Sequence, residues 1–403
     1  MTRVARHRTA VPDRVIRYKA MPKSFLVAVA LLLPVCLQAG TYTITDLGVL
    51  TGGSRTAASG ISSNGLVTGS GDTGTASSLP FVWTAGPGLS PVGVVDSQYA
   101  FGTGVNATGV VVGYEFNSGG MLRAFVNDGT TASYIPLLPG GANNAALGIN
   151  NSGTLVGYSE TISPGGNDEA FSYSGGVLTG LGTLTGGTTS QANAINSSGD
   201  IVGESDGSAP SSMHPFLWIG GVWTDLGVLA GYQSGNATAI SNADQVAGTL
   251  DDGYGGSMAF LWTAPDRMIS LGALTAGGDS QAYGVNSAGS VVGTSDGVAF
   301  LYSNSVMYDL NTLLDPSSTG WELDQATAIN DRGQIVGTGL YGDDSEQRAF
   351  LLTPYDSSGV PEPAALPMVC GGLLLLAAEK VRHLERPRRL SCRTVATGRA
   401  AKS

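Results

Sequence analysis

Between residues 41 and 356 the chain holds one histidine, His214, and no cysteine, so proton transfer by imidazole rests on a single side chain and thiolate chemistry on none. Carboxylates are plentiful in the same span, with 27 Asp and Glu. Glycoside hydrolysis needs two of them facing one bond. Asp168, Glu169 and Asp324 stand where neighbouring stretches of similar sequence carry other residues, yet nothing in the spacing pairs them, and no catalytic residue is assigned. Hard oxygen ligands for Ca²⁺ gather at Asp251-Asp252-Gly253 and Asp343-Asp344-Ser345-Glu346. Neither run has the DxDxDG spacing, so both read as solvated acidic loops, with no metal or cofactor assigned beyond this weak calcium signal. His214 reads as a loop residue with its hydrogen bonds met.

The same span has five Arg and no Lys, a net charge of −22, which argues against nucleic acid or an anionic membrane as partner. Basic residues crowd the two ends instead, seven by Lys23 and eight from Lys380 onward. The three cysteines, Cys36, Cys370 and Cys392, all lie outside the acidic middle, so no disulfide framework staples it.

The elements that would position any site come from a repeat. GISSNGLVTG, GVNATGVVVG, GINNSGTLVG, AINSSGDIVG, AISNADQVAG, GVNSAGSVVG and AINDRGQIVG close at Gly69, Gly113, Gly157, Gly203, Gly248, Gly293 and Gly337, 44 to 46 residues apart. Each is followed by a polar loop and an apolar run around Phe81, Phe125, Phe171, Phe216, Phe260, Phe300 or Phe350. One unit reads as four strands: Ala192 to Asn196, a turn, Asp200 to Gly203, a loop, Phe216 to Trp218, a Gly220-Gly221 turn, and Val222 to Leu229. Four strands in about 45 residues is the size of one propeller blade.

The last copy lacks its fourth strand, and TYTITDLGVL, Thr41 to Leu50, matches VWTDLGVL, Val222 to Leu229, with no strands before it. The expected fold is therefore all-β, a seven-bladed β-propeller closed by the N-terminal strand, with a signal helix before it and a membrane helix after it. An open β-solenoid, which has no use for the permuted join, and a pair of sandwiches are the alternatives. Asn106, Asn150, Asn196, Asn286 and Asn330 read as turn residues bonding their own backbone. Trp83, Trp218 and Trp262 read as packing between sheets, and Trp223 and Trp321 as the better candidates for an exposed aromatic.

The repeat resembles the HAF family of extracellular repeat proteins, although no copy has His directly before Ala-Phe and the nearest is His214 before Pro215-Phe216. The resemblance implies export and no particular activity. Residues 1–39 read as a signal peptide, with Met21 as a possible true start and cleavage at Ala39. Residues 40–356 hold the repeats, 357–363 a linker ending in Pro361-Glu362-Pro363, 364–379 an apolar membrane helix, and 380–403 a basic tail. That C-terminal order resembles the PEP-CTERM sorting signal, which implies processing by an exosortase after secretion. The span is shorter than the ~20 residues that cross a bilayer, and the tail runs on to Ser403. The expectation is a secreted or cell-surface monomer, held briefly in the inner membrane, that is not an enzyme and binds polysaccharide or matrix proteins. A secreted propeller enzyme or lectin acting on polysaccharide is the alternative.

Overall fold

The computed structural model describes residues 42–355 apart from 75–76, 98, 162–166, 208–211, 266, 317 and 343–345. The signal peptide, the Pro-Glu-Pro linker, the apolar span and the basic tail lie outside these residues. Among the described residues no helix is long and apolar enough to cross a membrane.

Seven four-stranded antiparallel sheets follow one another along the chain. The inner strands are Thr56–Ile61, Ala100–Val105, Asn144–Ile149, Ser190–Ile195, Ser234–Ile240, Ser280–Val285 and Trp321–Ile329, in blades 1 to 7. Each inner strand packs against the next, and that of blade 7 against that of blade 1, so the ring is closed. Closure uses the permuted strand. Tyr42–Asp46 is the outer strand of blade 7, antiparallel to Glu346–Pro354 with Tyr42 opposite Pro354 and Asp46 opposite Phe350. Leu47 N–H continues the ladder to the Ala349 carbonyl at 3.1 Å. The edge that blade 7 would otherwise expose is thereby paired.

Seven core clusters fill the seven blade interfaces. Each is built on one of the repeat phenylalanines, all of which have zero solvent exposure. In the cluster between blades 3 and 4, Phe216 meets Val156 and Ala170 of blade 3. The Ala-Phe pair thus alternates faces along its strand, the small residue making room for the next blade's ring and the large one filling the previous blade's gap. The repeat glycine has an equally local cause. A Cβ on Gly203 would lie 1.9 Å from the Gln191 carbonyl oxygen, and one on Gly248 would meet both the Asn236 carbonyl at 2.0 Å and the Phe260 ring at 2.7 Å.

The strand boundaries differ from expectation in two places. The outer strand of blade 4 is only Val222–Asp225, because Asp225 Oδ1 takes the Gly227 N–H at 2.8 Å and turns the chain, leaving Leu226, Val228 and Leu229 to pack on the core from a loop. Every inner strand also carries a β-bulge at a common point, such as the register shift between Ala192 and Ala194 that leaves Asn193 unpaired. A bulge re-aims the extra residue. Here the extra residues, Asn193 and its six equivalents, line the axial channel.

Candidate functional site: the axial channel and its two ends

Because the strands alternate in direction, the turns between inner and second strands lie on one face, and the crossovers between blades on the other. The two ends of the channel are built differently.

At the turn face, each repeat asparagine does two jobs. Asn150 Oδ1 accepts the N–H groups of Ser152 at 3.2 Å and Thr154 at 3.0 Å, while its Nδ2 donates to the Asn196 carbonyl of the next blade at 3.1 Å. The turn role was legible in the sequence. The latch between blades was not, since it joins residues 46 positions apart. Further in, Thr103, Asn193, Thr238 and Thr327 each donate to a backbone carbonyl of the following blade at 2.8 to 2.9 Å. Two bonds link alternate blades, Asn151 Nδ2 of blade 3 to Ser63 Oγ of blade 1 and Asn242 Nδ2 of blade 5 to Asp331 Oδ2 of blade 7, both at 3.3 Å. Below them sits a cavity of about 150 Å³ walled by one Ile or Val from each blade, Ile61 through Ile329. The same cavity is open to solvent and is lined at its lip by the turn residues, among them Asn150, Asn196 and Asn330.

The crossover face is uneven. Its blade 2 and 3 sector is aromatic: Phe101 and Tyr114 stack with ring centroids 5.3 Å apart, and Tyr158 lies under the influence of the Asp168 carboxylate and Tyr114. Burial, above all, raises the affinity of Tyr114, Tyr158 and Tyr283 for their phenolic protons. The sector of blades 4 to 6 is polar and encloses a cavity of about 330 Å³ lined by Glu204, Asn236, Thr249, Asp251, Gln281 and Tyr283, among others. Tyr283 donates to Gln281 Oε1 at 2.5 Å, and across the same sector Gln191 Nε2 donates to Asn193 Oδ1 at 3.1 Å. Burial pushes the Glu204 carboxyl above the ordinary range, so it holds its proton to higher pH than a surface glutamate. Such a mouth offers amides, hydroxyls and a protonatable carboxyl as hydrogen-bond partners, beside flat apolar rings.

The residues singled out in the sequence are dispersed. Glu169 Oε1 is occupied by the Gly182 N–H at 3.0 Å and serves its own blade. Asp168 and Asp324 are half-buried, each shifted upward first by burial and then by one acidic neighbour, Glu160 and Glu322 respectively. Neither lines the cavity that Glu204 and Asp251 share. His214 is not in a loop. It stands in the third strand of blade 4, Met213–Ile219, with Nδ1 2.9 Å from Asp225 Oδ2 on the outer strand. Arg348 occupies the same place in blade 7 and lies 3.9 Å from Asp46. The residue two before the repeat Phe therefore clasps the Asp of the TDLG segment. Trp223 and Trp321 are not exposed platforms: Trp223 packs on Phe216 at 4.3 Å with its indole N–H bonded to the Leu181 carbonyl, and Trp321 packs on Tyr341 at 4.8 Å.

Asp251 and Asp252 cap their own turn, taking the N–H groups of Gly253 and of Tyr254 and Gly256. Asp343, Asp344 and Ser345 lie outside the described residues. Among the described residues no group of three or more His, Cys, Asp or Glu comes together as metal ligands would. Two matches to the serine-hydrolase spacing GxSxG lie in the repeats, Gly203 to Gly207 and Gly293 to Gly297. Ser205 and Ser295 have no solvent exposure, and each hydroxyl donates to a crossover carbonyl, Thr189 or Asp279, while accepting an N–H from Leu184 or Leu274. They are crossover anchors, and Glu115 takes that place in blade 2, accepting from Val95 and Asp96 N–H at 3.0 Å.

No family model matches the chain, and neither does any curated protein. Solved structures do resemble it in fold. A puromycin-hydrolysing peptidase from Mycobacterium tuberculosis aligns with a TM-score of 0.48 at 10% identity, over 81% of this chain and 56% of the peptidase. A gluconolactonase from Xanthomonas campestris aligns at 0.41 and 10%, over 80% of this chain and 93% of its own. A lectin from Aleuria aurantia aligns at 0.35 and 12%, over 80% and 98%. At these identities the likeness concerns the fold alone.

Proposed function

We propose that this chain is an exported, non-catalytic binding scaffold whose crossover face receives a neutral glycan at the mouth of the axial channel. The observation that carries the reading is the division of that mouth into an aromatic sector, Phe101, Tyr114 and Tyr158, and an amide-rich sector around Gln281, Tyr283 and Glu204. A sugar ring has the matching division, C–H groups on its faces and hydroxyls round its edge. The surplus of 22 negative charges in the repeat region repels polyanions and leaves a neutral polymer unaffected.

Export rests on the two address segments. The signal peptide ending at Ala39 directs secretion, and Pro361-Glu362-Pro363 with its apolar span and basic tail presents the chain to an exosortase, giving a surface or matrix location. A second reading, a secreted enzyme acting on polysaccharide, draws on one feature: Glu204, whose carboxyl burial pushes above the ordinary range, lines the same cavity as Asp251. One glycan array run with and without Ca²⁺ separates the two. Retention of neutral glycans without turnover supports the scaffold. Cleavage that is abolished in Glu204→Gln establishes the enzyme, and retention of acidic glycans alone overturns both.

A further inference from the structure

Blade 2 differs from the other six in one respect that the channel mouth does not use up. Phe101 stands opposite Tyr114 on its inner pair of strands, and two residues outward Phe116 N–H bonds the Tyr99 carbonyl at 3.0 Å. Side chains two apart on a strand share a face, as do residues directly opposite across an antiparallel pair, so all four rings stand on one face. Leu122, in register with Phe116, extends that face, and its N–H is held by Asn143 Oδ1 of blade 3 at 2.9 Å. The positions equivalent to Phe101 are Ala57, Ala145, Gln191, Asn236, Gln281 and Gln325, none of them aromatic.

The outer pair is bare. Tyr99 is 50% exposed and Phe116 46%, with Met121 beside them at 36%, whereas Phe101 and Tyr114 are half-buried. Large apolar side chains grouped in water mark a binding surface. What covers this one follows from its surroundings. The rings run without interruption into the aromatic sector of the channel mouth, and two polar side chains beside them are only partly used: Asn117 Oδ1 accepts from Gly119 and Met121 N–H and Asp96 Oδ2 from Ser118, which leaves the Asn117 amide N–H groups and Asp96 Oδ1 to bond hydroxyls.

We infer that Tyr99, Phe116, Phe101 and Tyr114 form a stacking ladder for a neutral polysaccharide that enters over the rim of blade 2 and ends in the channel mouth. The ligand is then an extended chain and not a mono- or disaccharide. This rests on the glycan reading of the mouth. The test is calorimetric titration of the full-length protein with neutral glucan, galactan and mannan oligosaccharides of graded length, from two to eight units. Affinity should rise with length. The double variant Tyr99→Ala, Phe116→Ala should lose about tenfold for the eight-unit chain and nothing for the disaccharide, while Phe116→Tyr keeps the affinity. Both residues are exposed, so an unchanged melting temperature shows that the variant is folded. Equal affinity of variant and wild type for the long chain overturns the ladder, as does failure of every oligosaccharide to bind. A wild-type dimer that the double variant converts to monomer also overturns it, because the patch is then covered by a second copy. If Gln281→Ala leaves all affinities intact while the double variant loses the long chain, the mouth reading fails and the ladder stands.

Discussion

A few residue types recur because each solves one problem in the blade. The repeat glycine lies against a backbone carbonyl that cannot yield, so Gly203→Ala is expected to cost about 3 kcal/mol, seen as a large fall in the denaturation midpoint. A crossover aspartate is the second such residue. Asp206 accepts the N–H groups of Thr188 and Thr189, both at 2.7 Å, and the Thr188 hydroxyl at 2.8 Å. Burial alone would raise its pKa, but these bonds outweigh it and hold the carboxyl below its ordinary value. For a carboxylate so depressed, the stabilisation is present above the unfolded pKa, near 4, and is lost as pH falls through the lower folded value. Asp206→Ala should therefore lower stability by about 2 kcal/mol at pH 7, and the gap to wild type should close as the pH is taken down through that window. A gap that stays constant with pH would show that the carboxylate's charge is irrelevant. Asp72 and Asp296 make similar bonds in blades 1 and 6.

The weak element is the turn of blade 5. Six blades place glycine at its third position after the Asn or Ser, but blade 5 has Asp244 there, at φ +58°, where a side chain is strained. The repeat asparagine is also missing, and Ser241 in its place cannot reach the next blade. Gln245 Oε1 is consequently buried with no hydrogen-bond partner, whereas Gln334, its equivalent in blade 7, accepts from Asn330 at 2.9 Å. Ser241→Asn and Asp244→Gly should each stabilise the protein by about 1 kcal/mol, measured by chemical denaturation. No gain from either would mean that the latch between blades contributes nothing. The joining strand is the other element whose worth can be measured. A chain beginning at Thr51 lacks the outer strand of blade 7, together with the contacts of Leu47 and Leu50 in the core between blades 7 and 1. It should melt well below the intact repeat region, in a broadened transition, because a ring opened at one blade loses cooperativity round its circumference. An unchanged melting curve would remove the strand from the account of closure.

At the scale of the whole molecule the seven blades close into one ring, and the location proposed for it rests on segments outside that ring. In a host with an exosortase, the exported protein should lose everything after the Pro361-Glu362-Pro363 region, and in a host without one it should keep its C-terminus, a difference read by mass spectrometry. An intact end at Ser403 in the first host would show that the short apolar span and extended tail have disabled the signal. The disc should also bind no DNA or RNA in a gel-shift titration at physiological salt, since its charge of −22 over residues 41–356 repels both.

The sequence by itself determined the strand count, the blade boundaries and the closing strand, because a repeat samples the same local physics seven times and a displaced copy of TDLGVL has only one gap to fill. It also determined that the repeated asparagines are turn residues. Only the tertiary structure decided what those turns reach and which carboxylates share a cavity. Glu204 gave no signal as one more acid in a strand, yet packing across three blades puts it in the mouth with Asp251 and Tyr283. Asp168, Glu169 and Asp324 stood out by departing from the repeat, but none of them lines the cavity that Glu204 and Asp251 share. The bulge is part of the difference: at a common point one unpaired residue of each inner strand turns toward the axis, blade 7 having a second bulge at Asp324, and nothing in the type of the common residue, Ser, Thr, Leu, Asn or Tyr, announces it. Local pattern fixes a strand, whereas a site at the centre of a ring is made by side chains some 40 residues apart whose meeting depends on the ring having closed.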